Sequence, residues 1–217
     1  MKAVLVLAAA AAGLLVHGDV RAQPYPSRPV MVVVAASAGG PTDTIARIVS
    51  ERIGASLGTT IVVENVGGAS GTIGTGRVAR SAPDGYTLGI GGWNHYVVNA
   101  GLYPTLGYDL FADFEPVAQL ASGPQIILSK KAVPATTLQE LIAWLKAQPN
   151  VIMATGGVGA PGHVSGLTFQ ERIGVKFQFV PYRGSAPALQ DVVAGHLDVI
   201  FEQTSAALPQ IRSGTVR

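Results

Sequence analysis

The sequence predicts an α/β fold in two lobes, each a mostly parallel sheet flanked by helices. Three observations carry that expectation. Short β-branched runs alternate with stretches of helical apolar spacing, as consecutive βα units require. The alternation lapses once, over 101–116 (GLYPTLGYDLFADFEP), which reads as a connection between lobes. And three times, at 37–42, 91–95 and 156–163, a strand delivers a Gly-rich loop into a helix start.

The first 22 residues stand apart from the fold. Lys2, the apolar run Val4–Val16 and the small-residue site Val20-Arg21-Ala22 have the form of an export leader cleaved before Gln23. The expected divisions are therefore a signal peptide over 1–22, a first lobe over 23–105 and a second lobe over 106–217. The run of apolar residues is too short for a comfortable membrane span. The mature protein is thus expected outside the cytoplasm, in soluble form.

In the first lobe, Val30–Ala35 reads as a buried strand. Pro41 and Thr42 suit a helix start, and Ile45, Ile48, Val49 and Ile53 recur at helical spacing up to Gly58, a natural stop. Strands follow at 60–64 and 86–91, separated by a Gly-rich loop and a short helix through about Ser81. In the second lobe, strands are expected at 117–120, 125–130, 151–155, 176–182 and 197–202. Thr137-Leu-Gln-Glu140 is a capping box that opens a helix, and further helices are expected at 163–173, 185–194 and 204–212.

Composition narrows the chemistry. The chain has 15 Lys+Arg against 13 Asp+Glu, and removing Lys2, Arg21 and Asp19 with the leader leaves it close to neutral. No basic run or aromatic-interleaved patch points to nucleic acid. Without cysteine there is no thiolate catalysis, disulfide or Cys-based metal site. Gly157-Val-Gly-Ala-Pro-Gly162 fits a dinucleotide fingerprint in spacing, but Pro161 lies within it and no acidic residue follows at the ribose position. His95 and His163 lack carboxylate or His partners at metal-ligand spacing and are expected to bond backbone near helix starts. No nucleophile elbow is present, and Asp43 in the first turn of its helix is expected to cap backbone N–H groups. Neither a cofactor nor a metal is expected.

What remains is the recurring junction. Small residues at Ser37, Ala38, Gly39 and Gly40 leave the backbone approachable, and free N–H groups at a helix start form an anion site. Such loops line the ligand crevice of open α/β sheets. Two lobes presenting them face to face grip a carboxylate with backbone donors alone.

The runs YPSRPV, AGGPTDTIAR, PDGYTL, LYPTLGYD, GHVSG, VPYRGSAPALQDVVAGHLDVIF and SAALPQIRSG resemble, in that order, the substrate-binding receptors of tripartite tricarboxylate transporters, also called Bug receptors. The resemblance covers Tyr25–Arg217. It implies a two-lobed, periplasmic-binding-protein-like fold and a monomer that captures a small organic carboxylate and presents it to integral membrane permease subunits. It places the clamp at Ser37, Ala38, Gly39, Gly40, Thr42 and Asp43, at Gly92, Trp93, Asn94 and His95, and at Gly157, Gly159, Ala160, Pro161 and His163. Gln203 and Thr204 are weaker candidates. The chain departs from the family at Ala35 and Ala36, where an aromatic pocket wall is usual, and at Ala160, where a hydroxyl is common. The resemblance also implies a first lobe that is incomplete without a later return segment. The rival readings are an exported α/β enzyme using His95 or His163 as a general base, and a truncated remnant without function.

Overall fold

A computed structural model of the chain describes residues 24–120 and 123–217, so the leader expected over 1–22 lies outside the described residues. Seven strands fall into two sheets. The first contains β1 (Val30–Val34), β2 (Ile61–Asn65) and β3 (Thr87–Ile90) in the order β2-β1-β3, all parallel. The second contains β4 (Gln125–Ser129), β5 (Val151–Thr155), β6 (Phe177–Pro181) and β7 (Val199–Gln203) in the order β4-β7-β5-β6. Only β4 runs against its neighbour β7.

The helices connect these strands. In the first lobe they are α1 (Pro41–Leu57), α2 (Thr72–Ala79) and α3 (Asn99–Leu102), the last continuing a wide turn over Asn94–Val98. In the second they are α4 (Leu138–Ala147), α5 (Pro161–Ile173), α6 (Ser185–Val193) and α7 (Thr204–Ser213). α1 opens with Pro at its first position, where no N–H is needed, and closes on Gly58 at φ 65°. The capping box of α4 is formed: Glu140 N–H donates to Thr137 Oγ1 at 3.2 Å, and Glu140 Oε2 accepts from Thr137 N–H at 3.2 Å.

The period-2 alternation of the central strands distributes the second lobe's core over both faces of its sheet. Val151, Met153 and Val199 pack with Leu141 and Leu145 of α4 on one side. Ala154 and Ile200 pack with Leu189 and Val192 of α6 and Ala207 of α7 on the other. The first lobe's core is smaller, built on Val32, Val34 and Ala46 with flanking Ile61, Val63 and Leu88. Since apolar burial is the main favourable term in folding, the second lobe carries the larger share of it.

One expected strand is absent. Residues 117–120 form no strand, because Pro116 and exposed Val117 leave that segment no apolar face to bury; β4 pairs with β7, and at its end Ser129 and Lys130 also bridge to Arg217 and Val216. Among the described residues no helix is long and apolar enough to cross a membrane.

The lobes touch along the carboxyl ends of their parallel strands. Ser70 Oγ donates to Val158 O at 2.6 Å across the interface. Ser70 and Ala69 both sit at positive φ, 52° and 45°, a conformation uncommon outside glycine. Asn99 Nδ2 holds the strained turn by donating to Ser70 O at 3.0 Å. At the other contact, Gly184 lies so close to Ser37 that a Cβ there would overlap Oγ and lie 3.0 Å from the backbone nitrogen. Its φ of 137° is itself unsuited to a side chain. Gly184→Ala is therefore expected to prop the lobes apart, raising the radius of gyration in small-angle scattering while the far-ultraviolet circular dichroism stays unchanged. An unaltered scattering profile would show that this contact does not set lobe closure.

Candidate functional site

Three of the strand–loop–helix junctions are closed by one device. Between β1 and α1, the N–H of Gly39 donates to Asp43 Oδ2 at 2.8 Å. Between β3 and α3, the N–H of Gly92 donates to His95 Nδ1 at 2.9 Å. Between β5 and α5, the N–H of Gly159 donates to His163 Nδ1 at 3.1 Å. In each case a side chain three or four residues on folds the loop back over the helix start. Gly39 and Gly159 sit at φ 76° and 75°, a left-handed conformation that glycine adopts without strain.

The chemistry of the three acceptors follows from their surroundings. Asp43 also accepts from Arg47 Nε at 3.0 Å and, through Oδ1, from Asn65 Nδ2 at 3.0 Å. Burial pushes its carboxyl upward, but Arg47, Gly39 and Asn65 outweigh that and hold its pKa below the ordinary value. An accepting Nδ1 requires a neutral imidazole with its proton on Nε2. Burial enforces that state, lowering His95 to about 4 and depressing His163 as well. Neither ring shows the carboxylate partner that would orient a general base.

These closures consume the N–H groups of Gly39, Gly92 and Gly159, and Ala160 N–H turns to Gly157 O at 3.2 Å. The first-turn N–H groups of Thr42 and Asp43 in α1 and of Gly162 in α5 have no backbone acceptor among the described residues. A fourth junction joins them: β6 runs through Arg183 and Gly184 into α6, whose first residue is Ser185. The β7–α7 connection, at Gln203, is the fifth.

All five junctions border one cleft of about 110 Å³ between the lobes. Of the residues singled out in the sequence, Thr42, Gly92, Trp93, Asn94, His95, Ala160, Pro161 and Gln203 line it, as does Gly162. Ser37, Ala38, Gly39, Gly40, Asp43, Gly157, Gly159, His163 and Thr204 are not among its lining residues. Gly40 approaches the second lobe directly, with room for a Cβ only 3.5 Å from Ser185 Oγ. The volume is below the range of drug-sized pockets and suits a molecule of a few carbons. A larger groove of about 430 Å³ lies between α1 and β2, lined by Ser50, Gly54 and Ile61, but none of the five junctions opens onto it.

The sequence candidates omit three parts of this cleft, the first being the turn at Gly68, Ser70 and Gly71. The VPYRGSAPAL run contains the same strand–Gly–helix pattern as the other junctions, yet its Arg183, Gly184 and Ser185 were not among the candidates. Glu202 also lines the cleft, 2% exposed, with Oε1 accepting from Gln203 N–H at 2.8 Å and Oε2 buried without a partner. Burial raises its pKa from 4.5 to about 7. The available signal was an acid directly after the apolar run Val199-Ile200-Phe201.

Comparison with known proteins converges on one family. The model of the tripartite tricarboxylate transporter family receptor matches residues 45–217. The chain is 36% identical to the protein BugT of Bordetella pertussis, over all of this chain and 67% of that protein. The chain spans 56% of the length of a relative from Agrobacterium vitis to which it is 37% identical, and as little as 36% of another curated relative. Among solved structures, the periplasmic binding protein BugD is 39% identical with a TM-score of 0.85, over 89% of this chain and 64% of that one. MatC of Rhodopseudomonas palustris, solved with bound malate, is 36% identical with a TM-score of 0.81, over 89% and 66%. The architecture is thus the two-lobed one of periplasmic binding proteins, and the matching family is one of receptors, not enzymes. The chain belongs to the tripartite tricarboxylate transporter receptor family.

Proposed function

We propose that this chain forms the ligand-capturing part of an exported receptor. It binds a small organic carboxylate between its lobes in the periplasm and, as a monomer, presents it to integral membrane permease subunits. The observation that carries this reading is the convergence of helix starts from both lobes on one small cleft. Four of those helices, α1, α5, α6 and α7, have nine residues or more, and each places the positive end of its dipole at or near the cleft. The free N–H groups of Thr42, Asp43 and Gly162 supply donors, and Arg183 adds a mobile cation at the rim. Trp93 and Asn94 shape the first-lobe side.

The malate bound to MatC supports this choice of ligand class, and the size of the cleft agrees with it. An enzymatic reading finds no support in the histidines, since both Nδ1 atoms already accept from loop glycines. Binding that depends on a carboxylate charge is tested by titrating the protein calorimetrically with malate and with its dimethyl ester. Hydrogen bonds to a charged group contribute roughly 1.5–3 kcal/mol each, so losing two weakens binding about a hundredfold or more. Malate is expected to bind at least that much more tightly than the ester. Equal affinities, or none for either, would remove the carboxylate-receptor reading.

A further inference from the structure

Two acids are buried among the described residues, and they differ sharply. Asp43 has its three partners. Glu202 has one hydrogen bond, from the neighbouring backbone N–H, and its second oxygen has none. No cation lies within ion-pair distance of Glu202 in the described chain, although the residue lines a cleft built to hold an anion. A buried carboxylate in that position is costly when ionised, and a second carboxylate beside it raises the cost.

The groups around Glu202 come from every element packed against it. β4 brings Gln125 and Ile126, the latter directly opposite Glu202 in the ladder. β5 contributes Ala154 and Thr155, neither of which titrates. α6 contributes Ser185 at its start, preceded by the exposed Arg183. α5 contributes Gly162 and, behind it, His163; α7 follows directly through Gln203 and Thr204. Across the cleft stands His95, buried and neutral. Apart from Arg183 this is a neutral environment, with one acid held by the Gln203 N–H, the Ser185 hydroxyl beside it, and an Oε2 that has no hydrogen bond of good geometry.

We propose that Glu202 enters the ligand complex as the neutral acid, donating a hydrogen bond from its carboxyl to the captured carboxylate, so that capture takes up a proton from solvent. The inference rests on the carboxylate-receptor reading and adds a pH dependence to it. The proton comes from water-borne acid and stays on Glu202 while the ligand is held; no other bond forms or breaks. With its free-state pKa near 7, Glu202 already carries the proton in acid solution, and binding there exchanges none. Above that value each capture must bring the proton in, and affinity falls by up to tenfold per pH unit. His95, lowered to about 4, and His163, lowered below its ordinary value, stay neutral across this window and do not contribute.

Calorimetric titration with malate between pH 6 and 8.5, in buffers of different ionisation enthalpy, measures both quantities. The expected result is an uptake approaching one proton per malate at pH 8, with little at pH 6, and an affinity about tenfold weaker at pH 8.5 than at pH 7.5. In Glu202→Gln, whose amide donates at every pH, uptake vanishes and affinity becomes independent of pH. Absent uptake in the unmodified protein, uptake that persists in Glu202→Gln, or affinity that rises with pH would overturn the proposal. The last of these is the signature of an ionised Glu202 accepting from the malate hydroxyl. Failure of malate to bind either protein at any pH would reject the carboxylate-receptor reading itself, and this inference with it.

Discussion

The arrangement of the cleft depends on the backbone hydrogen bond from Gly39 to Asp43. It folds the loop after β1 against the first turn of α1, and Asp43 in turn ties that turn to Asn65 at the end of β2 and to Arg47 one turn on. A carboxylate in a helix's first turn is favoured by the dipole, and here it also fixes the loop. The second lobe solves the same problem with a neutral acceptor, His163, at the same four-residue spacing from Gly159. The three closures at Asp43, His95 and His163 take one N–H from each loop. In α1 and α5 the next donors, the N–H groups of Thr42, Asp43 and Gly162, are left without a backbone acceptor among the described residues, and Thr42 and Gly162 line the cleft.

Small residues are needed on both sides for the lobes to approach. Gly184 packs against Ser37, Gly67 lies against the carbonyl of Arg183, and Gly157 faces Ser70. Among the described residues, the hydrogen bond from Ser70 to Val158 crosses between these surfaces at 2.6 Å. Leu102 and Val98 of the first lobe lie against Gly159 of the second in the same way. Ligand capture then needs no distortion of either core, because both sheets end at the cleft and their apolar clusters lie behind it.

Much of this was legible in the sequence because local chemistry decides it. α1 runs over Pro41–Leu57 as Pro41 and Gly58 dictate, and the capping box at Thr137 and Glu140 forms as its spacing requires. β5 occupies Val151–Thr155 as expected from its apolar run. The failures are non-local. Residues 117–120 look like a strand in isolation but have no neighbour to pair with, and the antiparallel placement of β4 beside β7 is a matter of topology that no spacing encodes. The cleft residues missed, Arg183, Ser185 and Glu202, come together only when two crossovers bring β6 and β7 to the same edge. Glu202 in particular lies on the same face of β7 as buried Ile200, and only the register of the strand shows that it turns inward.

The electrostatic logic of the cleft is therefore dominated by backbone. Its charged and titratable groups are few: Arg183 at the rim, Glu202 within, and the neutral His95. The central claim is that an anion is held by first-turn N–H groups from both lobes. The most direct measurement is an amide nitrogen–proton spectrum titrated with malate. The amide signals of Thr42, Asp43 and Gly162 should move downfield together, at one apparent affinity, with smaller changes at Gly39 and Gly159, whose N–H groups already have partners. Shifts confined to one lobe, or clustered on the outer groove between α1 and β2, would contradict it.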